Sequence, residues 1–256
     1  MCGIIGFISK EADENKIKKI TDLISHRGPD YQNYSVIQMN DKFLHLGSSR
    51  LSIRGSESEN MPMIDDENNQ LIYNGEIFDT EKIYKILGIN KPFQSDTRLL
   101  FEYLKKMKSY GDIKNINAMF SFAFYDQANK ELIISIDKLG IKPLFYKIEK
   151  DTFFFSSEMR SLVSITNKNN TSKEAISKLI YFGGNYHDDE FIENIHAVKP
   201  GEFIKIDSNL NIRKEKYFEK FEPSSYDNIN FFDEIFPKII DDHLQADLPV
   251  SLFLSG

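Results

Sequence analysis

The sequence predicts an α+β chain followed by the start of an α/β unit, and three observations predict it. Runs of apolar, β-branched and aromatic residues of strand length recur between turn residues from position 2 to position 217. Segments with helical spacing of apolar residues stand between groups of those runs. The texture then changes over residues 231–254, where one helix leads into one apolar strand. An apolar strand of that kind belongs in a parallel, α/β-type sheet.

The elements follow in order. Residues 2–9 are apolar and β-branched and read as a buried strand. Ile17, Ile20, Leu23 and Ile24 give residues 13–25 a helical face. Gly28 and Pro29 end it within His26-Arg27-Gly28-Pro29-Asp30. Residues 34–39 and 43–46 read as paired strands around Asn40-Asp41, and residues 54–69 as loop. Residues 70–78 form a strand interrupted by Asn74-Gly75. Thr80 caps a short helix to Leu87, and Ser95 caps a second with Leu99, Leu100, Tyr103, Leu104 and Met107 on its apolar face. Strands are expected over 119–125, 131–137, 144–148 and 152–156, with a rigid loop at 138–143. Thr171 and Glu174 suggest a capping box for a helix to about Phe182. Two more strands, 202–206 and 211–217, precede a polar linker that contains Pro223. Residues 231–244 read as a helix that Pro237 kinks or restarts. Residues 248–254 read as a buried strand ending at Ser255-Gly256, so a second domain is expected to begin here and be cut short.

Bulk properties exclude several classes. The 256 residues suffice for one large domain, or one domain and part of another. A net charge of −7 argues against a nucleic-acid surface. No apolar run approaches the ~18 residues of a membrane span, and the N-terminus lacks the charge-then-apolar order of a secretory signal. The single cysteine excludes an internal disulfide and fits a reducing cytoplasm. His26, His45, His187, His196 and His243 are scattered, and none pairs with Cys2 at ligand spacing, so no metal is expected.

The candidate site residues each carry two readings. Cys2 is a small buried hydrophobe or, once Met1 is removed, a thiol whose own α-amine is its base. Those groups titrate near ~8.5 and ~8, close to working pH. Arg50 is an exposed strand charge or a bidentate binder of a ligand carboxylate. Asn74-Gly75 is a hairpin turn or a pair of donors to a developing oxyanion. Asp96 either complements a helix dipole or binds a ligand ammonium.

Taken together, the motifs favour the functional readings. Met1-Cys2-Gly3-Ile4-Ile5-Gly6, His26-Arg27-Gly28-Pro29-Asp30, Arg50-Leu51-Ser52-Ile53, Tyr73-Asn74-Gly75-Glu76-Ile77, Ser95-Asp96-Thr97 and the run from Asp137 to Leu144 occur in this order. Ser156-Ser157-Glu158-Met159 and Lys199-Pro200-Gly201 follow them. This set resembles the N-terminal glutaminase domain of glutamine-dependent asparagine synthetases, which are class II glutamine amidotransferases of the Ntn-hydrolase fold. The resemblance covers residues 2–217 as the glutaminase domain, with a linker at 218–229 and the start of an α/β synthetase domain at 230–256. It implies an αββα sandwich of two antiparallel sheets. Leu252-Phe253-Leu254-Ser255-Gly256 resembles the strand that enters the pyrophosphate-binding loop of that synthetase domain.

The resemblance also implies roles. Cys2 attacks the side-chain amide of glutamine, and its α-amine moves the proton. Asn74 and the Gly75 N–H form the oxyanion hole. Arg50 holds the substrate α-carboxylate, Glu76 and Asp96 hold the α-ammonium, and Arg27 helps close the site. Glutamate and ammonia result, through a γ-glutamyl thioester. The glutaminase half is expected to need no cofactor and no metal. ATP and Mg2+ are expected only for the synthetase domain, so neither asparagine formation nor productive ATP binding is expected of this stretch. The implied partners are glutamine and an ammonia-acceptor domain in cis, with no nucleic acid and no membrane, and a homodimer is compatible. Two other functions compete: the same glutaminase serving a different carboxylate such as a sugar acid, or a silent binding domain if Met1 is retained.

Overall fold

The computed structural model describes every residue except 56–58, 91, 92, 94, 167–169, 184–190, 221–228, 245, 250, 252 and 254–256. The chain opens with β1 (Gly3–Ser9), α1 (Glu14–Asp22), β2 (Tyr31–Met39) and β3 (Lys42–Arg50). Next come β4 (Met63–Ile64), β5 (Gln70–Ile77), α2 (Thr80–Leu87) and α3 (Asp96–Lys106). Four strands follow: β6 (Ala118–Asp126), β7 (Glu131–Ile136), β8 (Phe145–Glu149) and β9 (Thr152–Ser156). The rest is α4 (Met159–Ile165), α5 (Lys173–Phe182), β10 (His196–Ala197), β11 (Glu202–Ile206), β12 (Ile212–Lys216) and α6 (Ile229–His243).

The strands form two six-stranded sheets, ordered β10-β8-β9-β1-β3-β2 and β12-β11-β7-β6-β5-β4. Every pairing within them is antiparallel. β1 explains the layering. Its side chains alternate between faces, as a strand's must. Ile4 and Ile8 join the large core that includes Leu71, Phe122 and Ile134 of the second sheet. Ile5 and Phe7 join a smaller core with Ile17 and Ile20 of α1 and Leu162 of α4. Both faces of β1 are therefore covered, and each such side chain contributes about 1.5–3 kcal/mol on full burial. Ile83 of α2 and Leu99, Leu100 and Tyr103 of α3 belong to the large core as well. The arrangement is helix, sheet, sheet, helix: the αββα sandwich, in an α+β chain.

The structure revises several local expectations. β2 and β3 run longer than the apolar pattern indicated, because both edges of β3 are paired. Asn40 makes their turn, in the left-handed region at φ 56°. β5 passes through Asn74-Gly75 without interruption, paired to β6 along its whole length. Asp79 caps α2 in place of Thr80, because its carboxylate accepts the Lys82 N–H at 3.2 Å. Ser172 caps α5 instead of the Thr171–Glu174 box, since Thr171 is held in a bridge with Ile192. Several short elements were not expected: β4, which lies inside the expected 54–69 loop, β10, α4 and the 3-10 helix Tyr110–Asn115.

The C-terminal segment departs furthest. α6 continues through Pro237 as one helix. Most of the expected linker lies outside the described residues, as does most of the Leu252–Gly256 segment. In the expected buried strand, the described residues Leu248, Pro249, Ser251 and Phe253 form no strand. Leu248 and Phe253 are exposed. A strand needs a neighbour for its backbone groups, and no sheet strand among the described residues pairs with this stretch.

Buried His45 gives the fold a pH dependence. Its ring stacks on Phe7 with centroids 3.9 Å apart. Nε2 accepts the Asp13 N–H at 2.9 Å, so Nδ1 carries the proton and faces the Phe7 carbonyl at 3.3 Å. Burial lowers the pKa from 6.5 to about 4. Between those values the unfolded chain binds a proton that the folded chain refuses. Stability is therefore full above pH 6.5 and falls as pH drops toward 4. Urea midpoints measured across that window should fall more steeply for the native chain than for His45→Gln, which keeps only the slope the carboxylates supply.

Candidate active site

The site begins with sheet register. Gly3 of β1 lies opposite Ser49 of β3, which brings Cys2 beside Arg50 and Leu51. The Cys2 Sγ accepts the Leu51 N–H at 3.4 Å and lies 3.8 Å from the Leu51 carbonyl. Burial pushes the thiol pKa up, and the Leu51 N–H bond opposes that shift. Burial also lowers the pKa of the N-terminal amine, here that of Met1. Arg27 sits behind the nucleophile. Its Nε donates to the Cys2 carbonyl at 3.0 Å, and its Nη1 pairs with Glu158 at 3.1 Å. Glu158 also meets His26 and Arg160, at 2.8 and 2.6 Å. Arg27 is not among the residues that line the cavity in front of the thiol. Gly28 permits the close packing of this turn, since a Cβ there would stand 2.4 Å from the Ser49 backbone.

Arg50 ends β3 and is 5% exposed. Its Nη1 donates to the Asn60 Oδ1 at 2.6 Å, and its Nη2 to the carbonyls of Arg54 and Gly55 at 2.9 and 3.2 Å. The guanidinium thus orders the loop that follows it. Arg54, on that loop, approaches Glu76 at 3.7 Å.

The second sheet supplies the opposite wall. Asn74 is 1% exposed, and its Nδ2 has no hydrogen-bond partner among the described residues. Such a buried donor costs about 1–3 kcal/mol when unsatisfied. Gly75 lies against β6, where a Cβ would meet the Met119 carbonyl at 2.3 Å. Asp96 opens α3, whose cap Ser95 accepts the Arg98 N–H and donates to Glu59 at 2.8 Å. The Asp96 Oδ2 accepts from the Tyr73 hydroxyl and the Ile77 N–H, both at 3.1 Å. Burial raises the pKa of Asp96, and burial with the neighbouring Asp96 charge raises that of Glu76.

These residues share one cavity of about 120 Å³, room for a single small molecule. Cys2, Arg50, Asn74, Gly75, Glu76 and Asp96 all line it, so six of the seven site residues named from sequence meet there. Fixed cations and carboxylates on facing walls suit a zwitterion. A thiol and an unpaired amide donor between them suit attack on a carbonyl carbon. Among the described residues, no three His, Cys, Asp or Glu side chains are grouped to hold a metal, and no helix is long and apolar enough to cross a membrane.

Sequence reasoning did not single out Arg54, Tyr73 or Lys142, which line the cavity too. Lys142 is 6% exposed, and its Nζ lies 3.2 Å from the Met1 Sδ. Asp137 sets its loop by accepting N–H bonds from Phe120, Leu139, Ile141 and Lys142 at 3.0–3.1 Å. The motif from Asp137 to Leu144 held that signal, since an Asp before a Gly-Pro loop can gather its amides. Arg54 left no pattern to find.

Comparisons with known proteins agree with this geometry. The family model for a glutamine amidotransferase domain matches residues 1–218. Asparagine synthetases [glutamine-hydrolyzing] 1 and 2 of Bacillus subtilis (strain 168) are both 30% identical across the whole chain. The chain covers 42% and 37% of them, so it spans about two fifths of the length of these relatives. A solved allosteric regulatory enzyme of purine biosynthesis shares the fold, with a TM-score of 0.61 at 17% identity over 87% of this chain and 50% of that one. Fold, cavity and family model converge, and the chain belongs to the family of glutamine amidotransferase domains.

Proposed function

We propose that the chain hydrolyses glutamine to glutamate and ammonia through a γ-glutamyl thioester on Cys2, and that the ammonia serves an ATP-dependent synthetase domain that makes asparagine. One observation carries the reading: the thiol shares a cavity with Arg50, Asn74, Gly75, Glu76 and Asp96. The length of the asparagine-synthetase relatives supports an acceptor domain in cis. ATP and Mg2+ would belong to that domain, with none needed here. The single thiol suits the cytoplasm as the working compartment.

The steps follow from the residues. Removal of Met1 gives Cys2 a free α-amine. That amine takes the thiol proton as sulfur attacks the amide carbon of glutamine. The amide oxygen gains negative charge, and the Asn74 side chain and Gly75 N–H donate to it. The protonated amine returns its proton to the leaving nitrogen, ammonia departs, and the thioester remains. Water then attacks the thioester carbon, releasing glutamate and restoring the thiol. Arg50 binds the α-carboxylate, and Glu76 and Asp96 bind the α-ammonium. Anchoring both charges far from the reacting bond orients the amide for attack. A raised thiol pKa keeps the sulfur protonated at rest, so the proton moves to the amine during attack.

Two experiments test this. Chain lacking Met1, verified by intact mass, should release glutamate from glutamine, whereas Cys2→Ala should release none. Equal rates would sink the nucleophile assignment, and activity in chain that retains Met1 would sink the amine as base. Steady-state kinetics of Asn74→Ala should show kcat down roughly 100- to 1,000-fold, the cost of one oxyanion donor, with KM little changed. A fall confined to KM would place Asn74 in ground-state binding instead.

A further inference from the structure

We propose that Asp247 is a positioning residue for glutamine binding, acting through the loop that follows Arg50, so that the segment after α6 sets the affinity of the site. The proposal rests on the glutaminase reading. Asp247 lies beyond the last sheet strand and outside the cavity lining. It nevertheless bonds the Ile53–Gly55 loop in both directions. Its Oδ2 accepts the Gly55 N–H at 2.8 Å, and its own N–H donates to the Ile53 carbonyl at 3.2 Å.

The other side of that peptide belongs to the site. The Gly55 carbonyl accepts from Arg50, as does the Arg54 carbonyl. Asp247 and Arg50 thus grip Gly55 by its two backbone groups. Gly55 stands in the left-handed region at φ 81°, a conformation that glycine adopts readily. A Cβ there would lie 2.7 Å from the Ser95 Cβ, so the loop is also tight against the start of α3. Just before the two carbonyls that Arg50 holds, the loop delivers the Arg54 side chain to Glu76.

The end of α6, just before that segment, touches the second wall. The His243 ring stacks on Phe78 with centroids 3.7 Å apart and planes 21° apart. Phe78 lies two residues past Glu76. Residues 243 and 247 therefore bridge the loop beside the expected α-carboxylate binder and the strand end beside an expected α-ammonium binder. A hydrogen bond of this exposed kind contributes modestly, so its loss should loosen the loop without dismantling the fold. The cost falls on substrate binding rather than on the chemical step.

The test uses the whole chain after Met1 removal. Asp247→Ala should raise KM for glutamine roughly three- to tenfold, with kcat within about twofold. Asp247→Asn, whose amide oxygen still accepts the Gly55 N–H, should recover most of the affinity. Unchanged KM in an active Asp247→Ala chain overturns the proposal alone, as does an equal KM rise in both variants. Native chain with no glutaminase activity overturns the glutaminase reading, and the proposal with it. Hydrogen exchange of the Gly55 amide in the native chain needs no variant to fold. The amide should be protected by about tenfold or more over an unstructured one; unprotected exchange overturns the clamp.

Discussion

The site depends on one constraint: β1 is paired to β3 from its first residue, Gly3, and to β9 on its other side from Ile5 onward. Chain termini usually fray, since nothing holds them. Here the register Gly3↔Ser49 fixes the first strand residue, and Arg27 binds the carbonyl of the residue before it. Cys2 is thus placed to within the tolerance of a sheet although it lies one residue from the chain end. The core beneath supports that precision, because Ile4 and Ile5 point into different buried layers and a slip by one residue would exchange them.

The second constraint is electrostatic. Burial raises the proton affinity of Asp96, burial and the Asp96 charge raise that of Glu76, and Arg54 offsets part of both shifts. A ligand ammonium entering there would supply a closer countercharge than Arg54 does at 3.7 Å. Arg50 has backbone carbonyls and Asn60 as partners, so its guanidinium is oriented before any ligand arrives. Preorganised charges of this sort reduce the cost of ordering a ligand.

Much of this was legible in the sequence, for identifiable reasons. Cys2, Asn74-Gly75 and Asp96 each sit next to a local signal: a chain start, an Asn-Gly inside a strand, a capping serine. The αββα layering came through the resemblance, since alternation along β1 or β5 reveals two buried faces but not what covers them. Arg27 was named for the site, and the structure puts it behind the thiol, a distinction that spacing cannot encode. Arg54 and Asp247 were missed because their partners lie across loops and far along the chain. The caps of α2 and α5 shifted by one residue, to Asp79 and Ser172, whose side chains accept the Lys82 and Ala175 N–H groups. Among its described residues the expected last strand found no ladder, because strand propensity alone cannot supply a partner.

The central claim is that the terminal thiol attacks a glutamine side chain bound in this cavity. The most direct measurement is peptide mass mapping after exposure to a diazoketone analogue of glutamine, which alkylates the thiol that attacks it. One adduct should form, on Cys2, in chain lacking Met1, and excess glutamine should suppress it. An adduct that forms equally in chain retaining Met1, or that glutamine does not suppress, would contradict that claim.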